Sequence, residues 1–123
     1  MPPSIQCPAI AISPAGWHKV ASEMANLVDA SPTDDLAEWQ RLEIVDAQGM
    51  RFVVSRAFRA WPKHPWGAAL CRILNQSIHV GFEFSSVEQL SLAKLTQYVS
   101  SVEELPSSHR WSSPREVMEF LCG

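Results

Sequence analysis

The chain has 123 residues, 46% of them hydrophobic and 19% charged, with a formal net charge of −3. That size suits one domain, and folding would remove about two-thirds of its surface from water, from roughly 20,000 Å² to roughly 6,600 Å². The composition excludes a disordered chain, and no apolar run approaches the roughly 20 residues that a membrane-spanning helix needs.

The net charge conceals a division along the chain. Residues 1–46 carry seven acids and two bases, residues 47–82 five bases and no acid, and residues 83–123 six acids and three bases. A basic middle therefore lies between acidic ends. Three cysteines, Cys7, Cys71 and Cys122, are an odd and widely spaced set. They give no disulfide framework, and a reducing cytoplasm is the expected setting. The opening MPPSIQCPAIAIS lacks the positive region of a secretory signal, and the ending lacks a prenylation box.

The first apolar run, 5-IQCPAIAI-12, reads as a strand, placed at a sheet edge because Pro8 cannot donate to a ladder. Ser13-Pro14 then resembles a capped helix start. Trp17, Val20, Met24, Leu27 and Val28 recur at helical intervals, which predicts a helix over 14–28. Ser31-Pro32 marks a second start, with a helical turn or two over 32–39 and the Asp34-Asp35 pair as capping acids. Residues 41–46 and 50–58 flank Ala47-Gln48-Gly49 and predict a hairpin, with Gly49 at positive φ. Alternation places Met50, Phe52, Val54 and Phe58 on the core side, and Arg51, Val53, Ser55, Ala57 and Arg59 on the other. By the same count Arg56 falls on the core side, which is anomalous for a charged residue.

The loop WPKHPWG leads to a short helix over 67–76, with Leu70, Ile73 and Leu74 as its buried side. Residues 78–84 alternate as a strand, with Ile78, Val80, Phe82 and Phe84 inward and His79 and Glu83 outward. Ser91 caps a helix to about Leu105 that buries Leu92, Leu95, Tyr98, Val99 and Val102. Ser113-Pro114, with Glu116 at the capping-box spacing, starts a last helix to Leu121 that is anchored by Val117, Phe120 and Leu121. The order β-α-β-β-(α)-β-α-α predicts a single α+β domain over 1–123. It has a mainly antiparallel sheet of about four strands and three to four helices on one face.

Chemical signals are sparse. His18, His64, His79 and His109 are isolated, without the paired spacing of zinc ligands. His79 and Glu83 lie about 13 Å apart along a strand and cannot share an ion directly. The five glycines form no phosphate loop. No metal, cofactor or catalytic residue is expected. The least unfavourable enzyme reading is a Cys71 nucleophile with His64 as base, yet the neighbours of Cys71 are apolar.

What stands out is the basic and aromatic stretch 51–72. Arg56, Arg59, Trp61, Lys63 and Trp66 are residue types that anchor protein–protein contacts, and they form the candidate binding site for a protein partner. The same types bind single-stranded nucleic acid, against which the acidic total argues. They could also close one end of the core, with Arg stems packed over the Trp rings. A homodimer is a further arrangement, and no membrane contact is expected.

The segments 46-DAQGMRFVV-54, Trp66-Gly67, 80-VGFEF-84, 90-LSLAKLTQYV-99 and the Trp111 to Leu121 ending share a layout. They resemble those of small bacterial cytosolic proteins, including immunity proteins of toxin systems. That resemblance covers about half the chain and implies a non-catalytic protein that neutralises a toxin by sitting in or near its active site.

Overall fold

A computed structural model describes residues 5–31, 36–106 and 110–123. The Asp34-Asp35 pair, His109 and the Pro32 half of the Ser31-Pro32 start lie outside the described residues. The class is α+β, as expected, but among the described residues the sheet has six strands and is antiparallel throughout, in the order β2 (His18–Ala21), β1 (Ala9–Ile12), β4 (Glu43–Val45), β5 (Met50–Trp61), β6 (Ile78–Gln89), β3 (Asp29–Ala30).

The chain begins with a hairpin where a strand and a long helix were expected. Strand β1 (Ala9–Ile12) pairs with β2 (His18–Ala21). Ser13 shapes the turn between them. Its Oγ accepts from the Ala15 N–H at 3.0 Å and donates to the Glu38 carbonyl at 2.7 Å, and Gly16 sits at φ 107°. That left-handed glycine ends any helix before it starts. Only Met24–Val28 is helical (α1). The residues of the expected stripe do not share a face, since Trp17 packs into one core cluster and Val20 into the other. Nor is β1 an edge: Pro8 precedes the first paired residue, and β4 (Glu43–Val45) lies on the other side of β1.

The second hairpin is where expected. Strand β4 turns through Ala47-Gln48-Gly49 into β5 (Met50–Trp61), with Gly49 at φ 77°. Asp46, fully buried, holds the turn together. Its carboxylate accepts from the backbone N–H groups of Gln6, Gln48 and Met50 at 2.9–3.0 Å. A buried carboxylate needs such donors, because stripping it of water without them would cost several kcal/mol. Strand β6 (Ile78–Gln89) then runs the whole length of β5. A two-residue strand, β3 (Asp29–Ala30), pairs with its start.

Helices cover both faces of the sheet, not one. Alternation along β1 and β4 sends Ala9, Ala11 and Ile44 to one side and Ile10 and Val45 to the other. On the first side, Phe52, Val54, Ile78 and Val80 pack with Leu27 of α1, Trp39 of a 3-10 turn (Leu36–Trp39), Leu42 and Cys71. On the second, α3 (Leu92–Ser100) supplies Leu95 and Val99, and α4 (Pro114–Cys122) supplies Val117 and Met118. Each large side chain buried this way contributes roughly 1.5–3 kcal/mol. Both helices begin as read: Ser91 Oγ accepts from Lys94 N–H and Ser113 Oγ from Glu116 N–H, each at 3.3 Å. Helix α3 is shorter than expected, stopping at Ser100. In α4 it is Met118 and not Phe120 that is buried, and Phe120 stays half exposed with its ring edge-on to Trp111. No helix among the described residues is long and apolar enough to cross a membrane.

Candidate functional site

The basic and aromatic stretch lies at one end of the sheet, where β5 runs beyond β4 and is joined to β6 by α2 (Pro65–Leu74). Irregularities in the β5–β6 pairing decide which way its side chains face. Ser55 is an extra residue on β5, between the Val54–Phe84 and Arg56–Glu83 pairs. A bulge of this kind shifts the alternation by one. Ala57, at 5% exposure, therefore takes the core side, and Arg56 turns outward, which resolves the anomaly in the sequence reading. Phe58 moves with Arg56 to the outer side, opposite to the expected one, and Arg59 shares the side of Ala57.

On the outer side Phe58 lies over Gly81, its cross-strand partner, so closely that a Cβ there would stand 2.6 Å from the ring. The Arg56 guanidinium sits 5.0 Å from the centre of the same ring and pairs with Glu83 at 3.2 Å. Arg59 is half-buried and donates its Nε–H to the Pro62 carbonyl at 2.7 Å, which braces the turn out of β5. Of the five residues expected to meet a partner, Arg56 and Arg59 are thus engaged within the chain. Trp61, Lys63 and Trp66 are presented to solvent, with Trp61 against His79 and Trp66 against His64, each pair of rings 5.6 Å apart.

Helix α2 starts as its sequence suggests, with Pro65 at its first position and His64 as the cap, whose Nδ1 accepts from the Trp66 N–H at 3.4 Å. Asn75 ends it in the left-handed conformation, φ 54°. Its burial is the reverse of the expected pattern. Cys71 alone is buried, while Trp66 (66%), Leu70 (45%), Ile73 (78%) and Leu74 (54%) are exposed. Leu70 follows Trp66 by four residues, and Ile73 and Leu74 follow Leu70 by three and four, which makes one stripe, but the stripe faces away from the core.

The charges of the basic block are partly paired within the fold. Arg51 pairs with Glu43 and Glu88, and Tyr98 donates its O–H to the same Glu43 at 2.7 Å. Burial pushes the Tyr98 phenol up, against the opposing pull of Arg51. With Arg51 and Arg56 neutralised inside the fold, the cations left without an acidic partner among the described residues of this basic block are Arg59, Lys63 and Arg72. Arg72 lies in α2, and Arg59 and Lys63 lie in the segment that enters it.

The other chemistry weighed from the sequence does not come together. The Cys71 thiol is 4% exposed, and His64 caps the same helix about 10 Å away along its axis. His79 meets Trp61 and Glu83 meets Arg56, so the two do not converge. Among the described residues no three His, Cys, Asp or Glu side chains are placed to hold a metal ion.

One feature the sequence reading missed is a cleft of about 570 Å³ lined by residues that include Trp17, His18, Lys19, Asp29 and Trp39. Two of its polar side chains are already engaged. His18 meets Glu103 at 2.6 Å, and Lys19 donates to the Asp29 carbonyl at 2.8 Å and lies over the Trp39 ring. The expected helix over 14–28 concealed it, because a hairpin is what sets Trp17 beside Trp39.

The fold and site together define a small α+β domain with a six-stranded antiparallel sheet and an exposed, cation-flanked apolar helix at one end. No family model matches the chain, and neither does any curated protein or solved structure.

Proposed function

We propose that this domain works in the cytoplasm by contacting another protein, without catalysis, through the exposed face of α2 and the adjoining Trp61. The observation that carries this reading is the stripe Trp66, Leu70, Ile73 and Leu74, which gathers on one helix four of the eight exposed large apolar side chains among the described residues. Covering Ile73 or Leu74 would contribute roughly 1.5–3 kcal/mol each. Exposed Trp rings at such a surface are the usual anchors of a protein interface. Arg59, Lys63 and Arg72 would steer an acidic partner and set its orientation. This is the arrangement that an immunity-type inhibitor of a toxin would need, which is what the sequence resemblance implies.

The single-strand nucleic-acid reading shares the Trp and Lys residues but gives no role to Leu70, Ile73 and Leu74. The experiment compares the wild-type chain with Ile73→Glu as baits, and follows the melting temperature of both. The expected outcome is one protein retained by the wild type and lost with Ile73→Glu at unchanged stability. Retention by both baits sinks the reading. So does tight binding of a single-stranded oligonucleotide that weakens steeply as salt rises.

A further inference from the structure

The sheet ends very differently at its two edges. At one edge β2 is four residues long and carries His18 and Lys19. At the other, β6 is twelve residues long, and the strand beyond it, β3, pairs only with Ile78 and His79. From Val80 onward, among the described residues, nothing pairs with the outer side of β6. An unpaired strand edge is a template for another chain, and proteins usually blunt it with proline, lysine or a covering segment. Residues 80–89 contain neither proline nor lysine, and their one such device is a bulge at Ser85, the extra residue of β6 between the Val53–Ser86 and Val54–Phe84 pairs. Their two acids, Glu83 and Glu88, reach sideways to Arg56 and Arg51 of β5, so neither guards the edge.

We propose that β6 pairs antiparallel with β6 of a second copy of this chain, joining the two sheets across a two-fold axis near Phe84. The open length selects this register. The segment 80–88 is centred on residue 84, so pairing it with itself fills the open edge up to β3 and no further. It also sets Glu83 opposite Ser85 of the second copy and Glu88 opposite Val80, and no acid faces an acid. A shift that opposed Glu83 to Glu88 would place like charges together, which is unfavourable across strands. An interface of this kind is the same patch on both copies, as two-fold dimers require. It leaves α2 available and does not depend on the reading given above for that helix.

The test is sedimentation velocity on the full chain from about 1 µM to about 1 mM, with amide hydrogen exchange at both ends of the range. The expected result is a monomer–dimer equilibrium, with protection of amides within 80–88 that rises with concentration. Ser85→Glu, at an exposed bulge position, sets an acid against Glu83 at two places in the dimer and weakens it about tenfold. Ser85→Lys leaves it intact or tightens it, and Ile73→Glu leaves it unchanged. A monomer throughout the range overturns the proposal. So does a dimer that dissolves with Ile73→Glu, or one that responds alike to Ser85→Glu and Ser85→Lys, or one whose added protection lies outside β6.

Discussion

The two ends of the sheet teach opposite lessons about what alternation and helical periodicity mean. Around β1 and β4 the sheet is covered on both faces, and most apolar side chains that the periodicity marks are buried or partly buried. At the other end β5 outruns β4, and α2 carries a comparable apolar stripe that stays in water. The residue types are similar at the two ends, and what differs is whether another element lies opposite. Interior and interface are built from the same chemistry, and only the covering decides which of the two a stripe becomes.

The contrast can be broken by substitution. The largest effect is expected at the covered end, where Phe52→Ala empties a fully buried site and costs about 3–5 kcal/mol by urea denaturation. A loss under about 1 kcal/mol would mean that the double-faced core is not what holds the sheet. Asp46→Ala strips three backbone N–H groups of their acceptor and should cost about 2–3 kcal/mol. The same change in midpoint should appear by fluorescence and by circular dichroism if unfolding is two-state.

Effects shrink toward the uncovered end. Gly81→Ala forces the Phe58 ring to move and should lower stability by about 1–2 kcal/mol. An unchanged melting temperature would show that the ring swings away freely. Ile73→Glu should change stability by less than about 0.5 kcal/mol, because the residue is 78% exposed. If it melts the fold instead, α2 is part of the core and the proposed surface is wrong.

Much of the layout was legible before any coordinates. The Ala47-Gln48-Gly49 turn, the strand at Ile78 to Phe84 and the caps at Ser91 and Ser113 stand where their local chemistry placed them. These depend on neighbours in the chain. The errors fell where the outcome depends on distant contacts. Trp17, Val20 and Leu27 keep a helical spacing, yet Gly16 and the pairing of β2 with β1 drew the first two into a hairpin. Of the five expected site residues, Trp61, Lys63 and Trp66 are exposed to solvent. The engagement of Arg56 with Glu83 was not visible, because an extra residue at Ser55 reverses the side chains from Arg56 to Arg59.

By itself the sequence determined the fold class, the places where strands turn and helices start, and the concentration of basic charge in the middle of the chain. Those follow from backbone preferences, capping and composition, which act over a few residues. Only the tertiary structure decided which apolar stripes are covered, which cations are neutralised and which strand edge stays open. Each of these depends on segments far apart in sequence meeting in space, as Glu43 and Glu88 do around Arg51.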